Sequence, residues 1–260
     1  MESSPIIALN RPSRRVQHTY FIVESSEKMT DEDKATVNAY ITKMASVVAD
    51  CEKSLLNNCF LLAILGFGDS VAWMNDQPVE ASDFRLSDLA LNGLPDVGKA
   101  FDELECKLRR SAHMRHDRQL LPVFFLFLYS NNLGSWQNSL ERLSNNAYFS
   151  MGVRIAINVS GSASNEVMEG FTGNTELILG LDNYDAGDLI KYVIADMHRL
   201  DDIPINSGDS RYPTQLSIES RELIDETWDW SDSWDTGEPD SLIRDDRMED
   251  SSFPSVPYMW

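Results

Sequence analysis

A chain of 260 residues is long enough for one sizeable α/β domain and an appendage, and a core of that size stands without disulfide or metal staples. Its 42 acidic residues against 22 basic ones, a net charge of −20, set up a field that repels nucleic acid and anionic lipid and favours a basic protein surface as partner. Three cysteines, Cys51, Cys59 and Cys106, are an odd number without CxxC spacing, which argues against a disulfide framework or a zinc ribbon and for three reduced thiols used as small apolar side chains. The opening "MESSPIIALNRPSRR" lacks the charged start, apolar core and small-residue cleavage site of a secretory signal. The longest apolar run, "LLPVFFLFLY", is about half the length of a bilayer span, so a soluble cytoplasmic protein is expected.

In chain order, "HTYFIVES" (18–25) is a β-rich apolar run, and a helix starts at "TDED", where Thr30 and Asp33 fit a capping box. Val37, Tyr40, Ile41, Met44, Val47, Val48, Cys51 and Leu55 then give that helix one apolar face. "CFLLAILGF" (59–67) reads as a strand buried on both faces, with "SVAWM" (70–74) as its hairpin return. "FRLSDLAL" is more polar, a loop or an edge strand, and Val97, Phe101, Leu104 and Leu108 mark an amphipathic helix from about Asp96 to Arg110.

The second half repeats the alternation: strand "LPVFFLFLY", helix "SWQNSLERLSNNA", strand "VRIAINVS", short helix "SNEVMEGF", strand "TELILGL" and helix "AGDLIKYVIADMHRL". Apolar strands alternating with helices predict a doubly wound α/β fold, a mostly parallel sheet with helices on both faces. Sites in such sheets form at the carboxyl ends of strands, where the strand order reverses. The predicted domain covers 18–200, after an N-terminal extension of 1–17.

From about Asp201 the periodicity stops, and residues 201–260 carry 16 acidic residues against 4 arginines. Such a composition cannot bury enough to fold alone. Yet the tail holds Trp228, Trp230, Trp234 and Trp260, which suits a short recognition segment with aromatic anchors and acidic steering toward a basic partner. A disordered solubilising tail is the alternative. Ser231, Ser233 and Ser241 lie beside acids, where phosphorylation would add further charge.

Three loops stand at the strand ends: "ESSEK", "NGLPDVG" and "YSNN". A Mg²⁺ site there would need hard oxygen ligands in near-octahedral order. These loops, in sequence with "TYFIVESSEKM", "ILGFGDSVAW", "LALNGLPDVGKAFDELECKL", "LPVFFLFLYSNNLGSWQNSLERL" and "RIAINVSGSASNEVMEGFTGNTELIL", resemble a von Willebrand factor A domain over residues 11–200. The likeness is to the bacterial TerY type associated with tellurite-resistance and stress operons. That resemblance implies a metal-ion-dependent adhesion site (MIDAS) made of a D-x-S-x-S loop, a threonine loop and an aspartate after the fourth strand. It also implies a protein-binding role, with a Ser/Thr kinase and a PP2C-type phosphatase as neighbours in a stress-response or phage-defence system. The further C-terminal metal-binding segment of longer relatives is replaced here by the acidic tail.

Carried across, the family's first aspartate falls on Glu24, its first serine on Ser26, its second serine on Lys28, its threonine near Pro95 and its later aspartate on Asn131. Only Ser26 is unchanged. The Lys28 ammonium and the neutral Asn131 amide both disfavour a dication, so a degenerate site without cofactor is expected; Mg²⁺ held by Glu24, Ser26 and Asp96 is the alternative. Without metal, Lys28 either pairs with Glu24 as a built-in cation or stays solvated at a helix start and leaves Glu24 to cap helix amides. The expected partner contacts are Glu24, Ser26, Lys28, Pro95, Asp96 and Asn131, together with Trp228, Trp230 and Trp234.

His113 and His116 in "RRSAHMRHDR" have i, i+3 spacing, but Arg109, Arg110, Arg115 and Arg118 surround them, so the segment reads as a cationic docking loop and not as a metal site. There is no Walker loop, no GxGxxG after a strand, no GxSxG elbow and no Cys–His pairing with triad context. A non-enzymatic interaction module is therefore expected. A divalent-cation-dependent partner-binding domain is the alternative.

Overall fold

The structure, a computed structural model, describes residues 14–55, 58–86, 93–110 and 120–201. Among them a seven-stranded sheet runs β3-β2-β1-β5-β6-β7, with β4 also paired to β2. The core strands are β1 (Arg15–Glu24), β2 (Asn58–Phe67), β5 (Val123–Leu128) and β6 (Val153–Asn158), all parallel to one another. The short β7 (Ile178–Gly180) extends them in parallel, whereas β3 (Val71–Trp73) and β4 (Val79–Glu80) return antiparallel on β2. This is the doubly wound, mostly parallel α/β fold that the alternation of strands and helices predicts.

Side-chain alternation on the strands explains the two cores. Phe21 and Val23 of β1, with Phe60, Leu62, Ile64, Phe125 and Phe127, face α1 (Asp31–Ser54) and α6 (Ala186–Asp201). Tyr20 and Ile22, with Ala63, Leu65, Phe124 and Leu126, face α2 (Val97–Arg110), α3 (Gln137–Ser144), α4 (Ala147–Met151) and α5 (Asn165–Thr172). Aromatic pairs cross between strands on each face, Phe21 on Phe125 at 5.6 Å and Tyr20 on Phe124 at 5.2 Å between ring centroids.

The α1 helix starts where its capping box places it. The Thr30 hydroxyl accepts the Asp33 amide at 3.1 Å, and the Asp33 carboxylate accepts the Thr30 amide at 3.0 Å. Thr30→Ala removes the hydroxyl that accepts the Asp33 amide, keeps the backbone amide that donates to the Asp33 carboxylate, and is expected to cost about 1 kcal/mol, read as a lower urea midpoint at unchanged slope.

Four details depart from the sequence reading. β1 begins at Arg15 rather than His18, because Arg15, Val16 and Gln17 pair with Asn58, Cys59 and Phe60. The predicted helix over 135–147 is two helices, since the Asn146 side chain accepts the amides of Tyr148 and Phe149 and starts α4 afresh. The strand over 175–181 is shortened to Ile178–Gly180, because Asn174 caps a single 3-10 turn at Thr175–Leu177. The edge beside β2 is taken by the unpredicted β4, while 87–91 of "FRLSDLAL" lies outside the described residues. Between β3 and β4 the Asn75 side chain serves β2 as a strand would, accepting from the Ile64 amide and donating to the Leu62 carbonyl.

Candidate functional site: a cleft at the strand ends

The winding direction reverses between β1 and β5, so the loops after these two strands diverge and leave a crevice. It is an open cleft of about 780 Å³. Lys28 follows β1, Asp69 stands between β2 and β3, Pro95, Asp96 and Lys99 belong to the start of α2, and Tyr129, Ser130 and Asn131 follow β5.

Beneath this cleft Glu24, the last residue of β1, is 1% exposed. The parallel register that sets Val23 against Phe127 brings Tyr129 and Ser130 to its carboxylate. Oε2 accepts the Tyr129 amide at 2.9 Å and the Ser130 amide at 3.0 Å. Oε1 accepts the Ser26 hydroxyl at 2.7 Å and also the Ser130 hydroxyl. A buried carboxylate is tolerated where charge-assisted donors replace its water, as four do here.

Of the two readings of Lys28, these bonds favour the solvated one over a pair with Glu24. Lys28 is exposed and makes no ion pair among the described residues, and both Glu24 oxygens are already taken. Glu24 does cap amides, but those of the loop after β5 and not of a helix start. Ser26, fully buried, donates to Glu24 and accepts the Lys28 amide at 3.2 Å, which shapes the turn that sends Lys28 outward. Glu24 and Ser26 thus lie below the surface, out of a partner's reach, and the cleft face falls to Lys28, Pro95, Asp96 and Asn131 among the predicted residues.

Asp96 is the N-terminal cap of α2. Its Oδ1 accepts the Lys99 amide at 3.2 Å, and its Oδ2 lies 3.4 Å from the Lys99 ammonium, which also donates to the Asp69 carbonyl at 2.9 Å. Lys99 is therefore neutralised locally, and among the described residues Lys28 is not. At the rim, the Asp33 carboxyl is held below the usual range, first by the Thr30 hydroxyl and in part by Tyr129. The negative charge of Asp33 in turn raises the Tyr129 phenol.

At these loops the described residues offer few free oxygens to a divalent ion. Glu24 has no oxygen without a donor, the Ser26 oxygen accepts the Lys28 amide, Pro95 offers no side-chain oxygen, and Lys28 places an ammonium at the cleft. Of the predicted residues that face the cleft, Asp96 carries a carboxylate, shared with Lys99. Of the residues that sequence reasoning missed, Ser130 matters most, since two of the Glu24 bonds are its own. It stands in the quoted "YSNN", one residue before Asn131. Asp69, in the "GFGDS" turn, and the 61% exposed Leu94 also line the cleft. His113, His116, Arg115, Arg118, Trp228, Trp230 and Trp234 lie outside the described residues.

No family model matches the chain, and no curated protein matches it. Among solved structures it is similar to proximal thread matrix protein 1 from the mussel byssus, at 13% identity and a TM-score of 0.48, over 72% of this chain and 49% of that one. It is similar to the pilus adhesin SpaC of Lactobacillus rhamnosus GG, at 10% identity and a TM-score of 0.47, over 72% of this chain and 30% of that one. A von Willebrand factor type A structure from Catenulispora acidiphila follows at 11% identity and a TM-score of 0.45, over 72% of this chain and 42% of that one. The chain spans about half or less of the length of these proteins. The fold class rests on the strand order and the helix layers described above: a mostly parallel, helix-flanked sheet of the von Willebrand A or Rossmann-like kind. No helix among the described residues is long and apolar enough to cross a membrane.

Proposed function

We propose that this is a non-enzymatic protein-interaction domain whose strand-end cleft receives an acidic side chain of a partner on the Lys28 ammonium, without a bridging metal. One observation carries the reading: Glu24, the carboxylate at the first position of the MIDAS-like loop, is consumed by internal donors, while Lys28 stands exposed at the cleft with no ion pair among the described residues. A metal-dependent domain of this fold would offer a cation to a carboxylate; here a fixed ammonium offers the same charge sign. The overall acidity of the chain steers a predominantly basic partner surface toward it, and the cleft selects an acidic residue within that surface. The resemblance to the TerY type supports a cytoplasmic setting in a stress-response or phage-defence system, with a Ser/Thr kinase or a PP2C-type phosphatase as the partner.

The test is a thermal melt of the full chain in EDTA and in Mg²⁺, alone and as the Lys28→Ser, Asn131→Asp double variant. The unsubstituted chain is expected to melt alike in both. The double variant regains a hydroxyl and a carboxylate at the cleft and is expected to gain about 1.4 kcal/mol, or roughly 4 °C, at Mg²⁺ tenfold above its Kd. A Mg²⁺ shift in the unsubstituted chain would overturn the metal-free reading. Partner capture that survives EDTA and is lost in Lys28→Glu would support the ammonium as the contact.

A further inference from the structure

At the opposite end of the sheet, about 26 Å away along β2, three side chains converge that the cleft does not use. Glu52 comes from the last turns of α1, Cys59 from the start of β2 and Glu80 from β4. One ligand atom from each lies within 4.8 Å of the others. Glu52 and Cys59 are 7% and 8% exposed, whereas the Glu80 side chain is 47% exposed and leaves the group open to solvent on one side.

The cluster is not fully satisfied from within. The Arg14 guanidinium pairs with Glu52 Oε1, reaches Glu80 Oε2 at 3.7 Å and donates through Nε to the Asn58 carbonyl at 2.9 Å. Among the described residues, Glu52 Oε2 is buried with no hydrogen-bond partner. A carboxylate oxygen shut away from water without a donor is costly, and a bound cation removes that cost. Two carboxylates against one guanidinium leave a charge of −1, and loss of the Cys59 thiol proton on binding makes it −2, which one dication neutralises.

We propose that Glu52, Cys59 and Glu80 form a binding site for a borderline divalent cation of the Zn²⁺ type. One sulfur and two carboxylate ligands leave the fourth tetrahedral position to water, and the sulfur disfavours Mg²⁺ and Ca²⁺. Without a cation, burial and the two carboxylates push the Cys59 thiol up to about 11. Binding forms the metal–sulfur bond and releases the thiol proton to solvent, so affinity rises with pH. Arg14 competes with the cation for the same two carboxylates. The cation ties the end of α1 to β2 and to the two-residue β4, so its structural role is a staple at the sheet edge.

The probe is Co²⁺, titrated into the metal-stripped full chain and followed by thiolate-to-cobalt charge-transfer absorption. One equivalent is expected to saturate the band, and Zn²⁺ to abolish it. The band is lost in Cys59→Ser and kept in Cys51→Ser and Cys106→Ser. Glu80→Gln, at a half-exposed position that tolerates change, weakens Co²⁺ binding about tenfold while the metal-free melt stays cooperative, and Arg14→Gln tightens binding about tenfold. No band in either the unsubstituted chain or Arg14→Gln, or a band that survives in Cys59→Ser, overturns the site and leaves an ion-paired acidic cluster beside a buried thiol. Because Lys28 and Asn131 lie at the other end of β1 and β5, either proposal can fail without the other.

Discussion

Glu24→Ala is expected to destabilise the domain by about 4 kcal/mol, a fall of roughly 12 °C in melting temperature for a domain of this size. The figure comes from what the carboxylate leaves behind. Two backbone amides, Tyr129 and Ser130, lose their acceptor at a buried strand end, and backbone cannot turn to find another. An orphaned buried donor costs about 1–3 kcal/mol. The Ser26 and Ser130 hydroxyls can rotate, so they add less. Glu24→Gln separates charge from shape: its single carbonyl oxygen can accept only part of the set, and its amide group faces donors, so about half the loss is expected. Urea unfolding measures both. If each variant stays within 1 kcal/mol of the unsubstituted chain, the carboxylate does not hold the two loops together, and Glu24 is free for another role.

This arrangement also shows what could be read from the sequence and what could not. The strands "YFIVE", "FLLAILGF" and "VFFLFL" were legible because each is buried on both faces and so apolar throughout, and α1 because Thr30 and Asp33 mark its start. Local pattern failed where a side chain competes with the backbone: Asn146 breaks one predicted helix into two, and Asn174 shortens β7. At the site, the odd placement of Lys28 after a strand was visible at once. Its consequence was not. Whether Glu24 meets Lys28 or the residues after β5 depends on a register between β1 and β5 that joins positions 105 and 106 residues apart, and nothing in "ESSEK" encodes that distance. The Glu52, Cys59 and Glu80 group has the same origin, an α1 end, a strand start and an edge strand assembled only by the fold.

Gly98→Ala is the second large effect, expected at about 3 kcal/mol, and it tests the other wall of the cleft. Gly98 shares its loop with Pro95 and Asp96 and lies in the first turn of α2. A Cβ built there would sit 2.4 Å from the Ser135 carbonyl oxygen and 3.3 Å from Asp96 Oδ1. The first neighbour is backbone, so no side-chain rotation relieves it. The Val97 amide also donates to the Leu133 carbonyl at 3.3 Å, which pins the same turn to the same loop. A methyl group must therefore push α2 away from 133–135, and in doing so it strains the Asp96 cap and moves Lys99 off the Asp69 carbonyl. Ala is otherwise the better helix former by about 1 kcal/mol, so a loss of stability means that contact outweighs propensity. A Gly98→Ala variant as stable as the unsubstituted chain would mean that α2 and the loop after β5 can separate freely, and the cleft would then lack the rigid wall that a docking site for an acidic side chain requires.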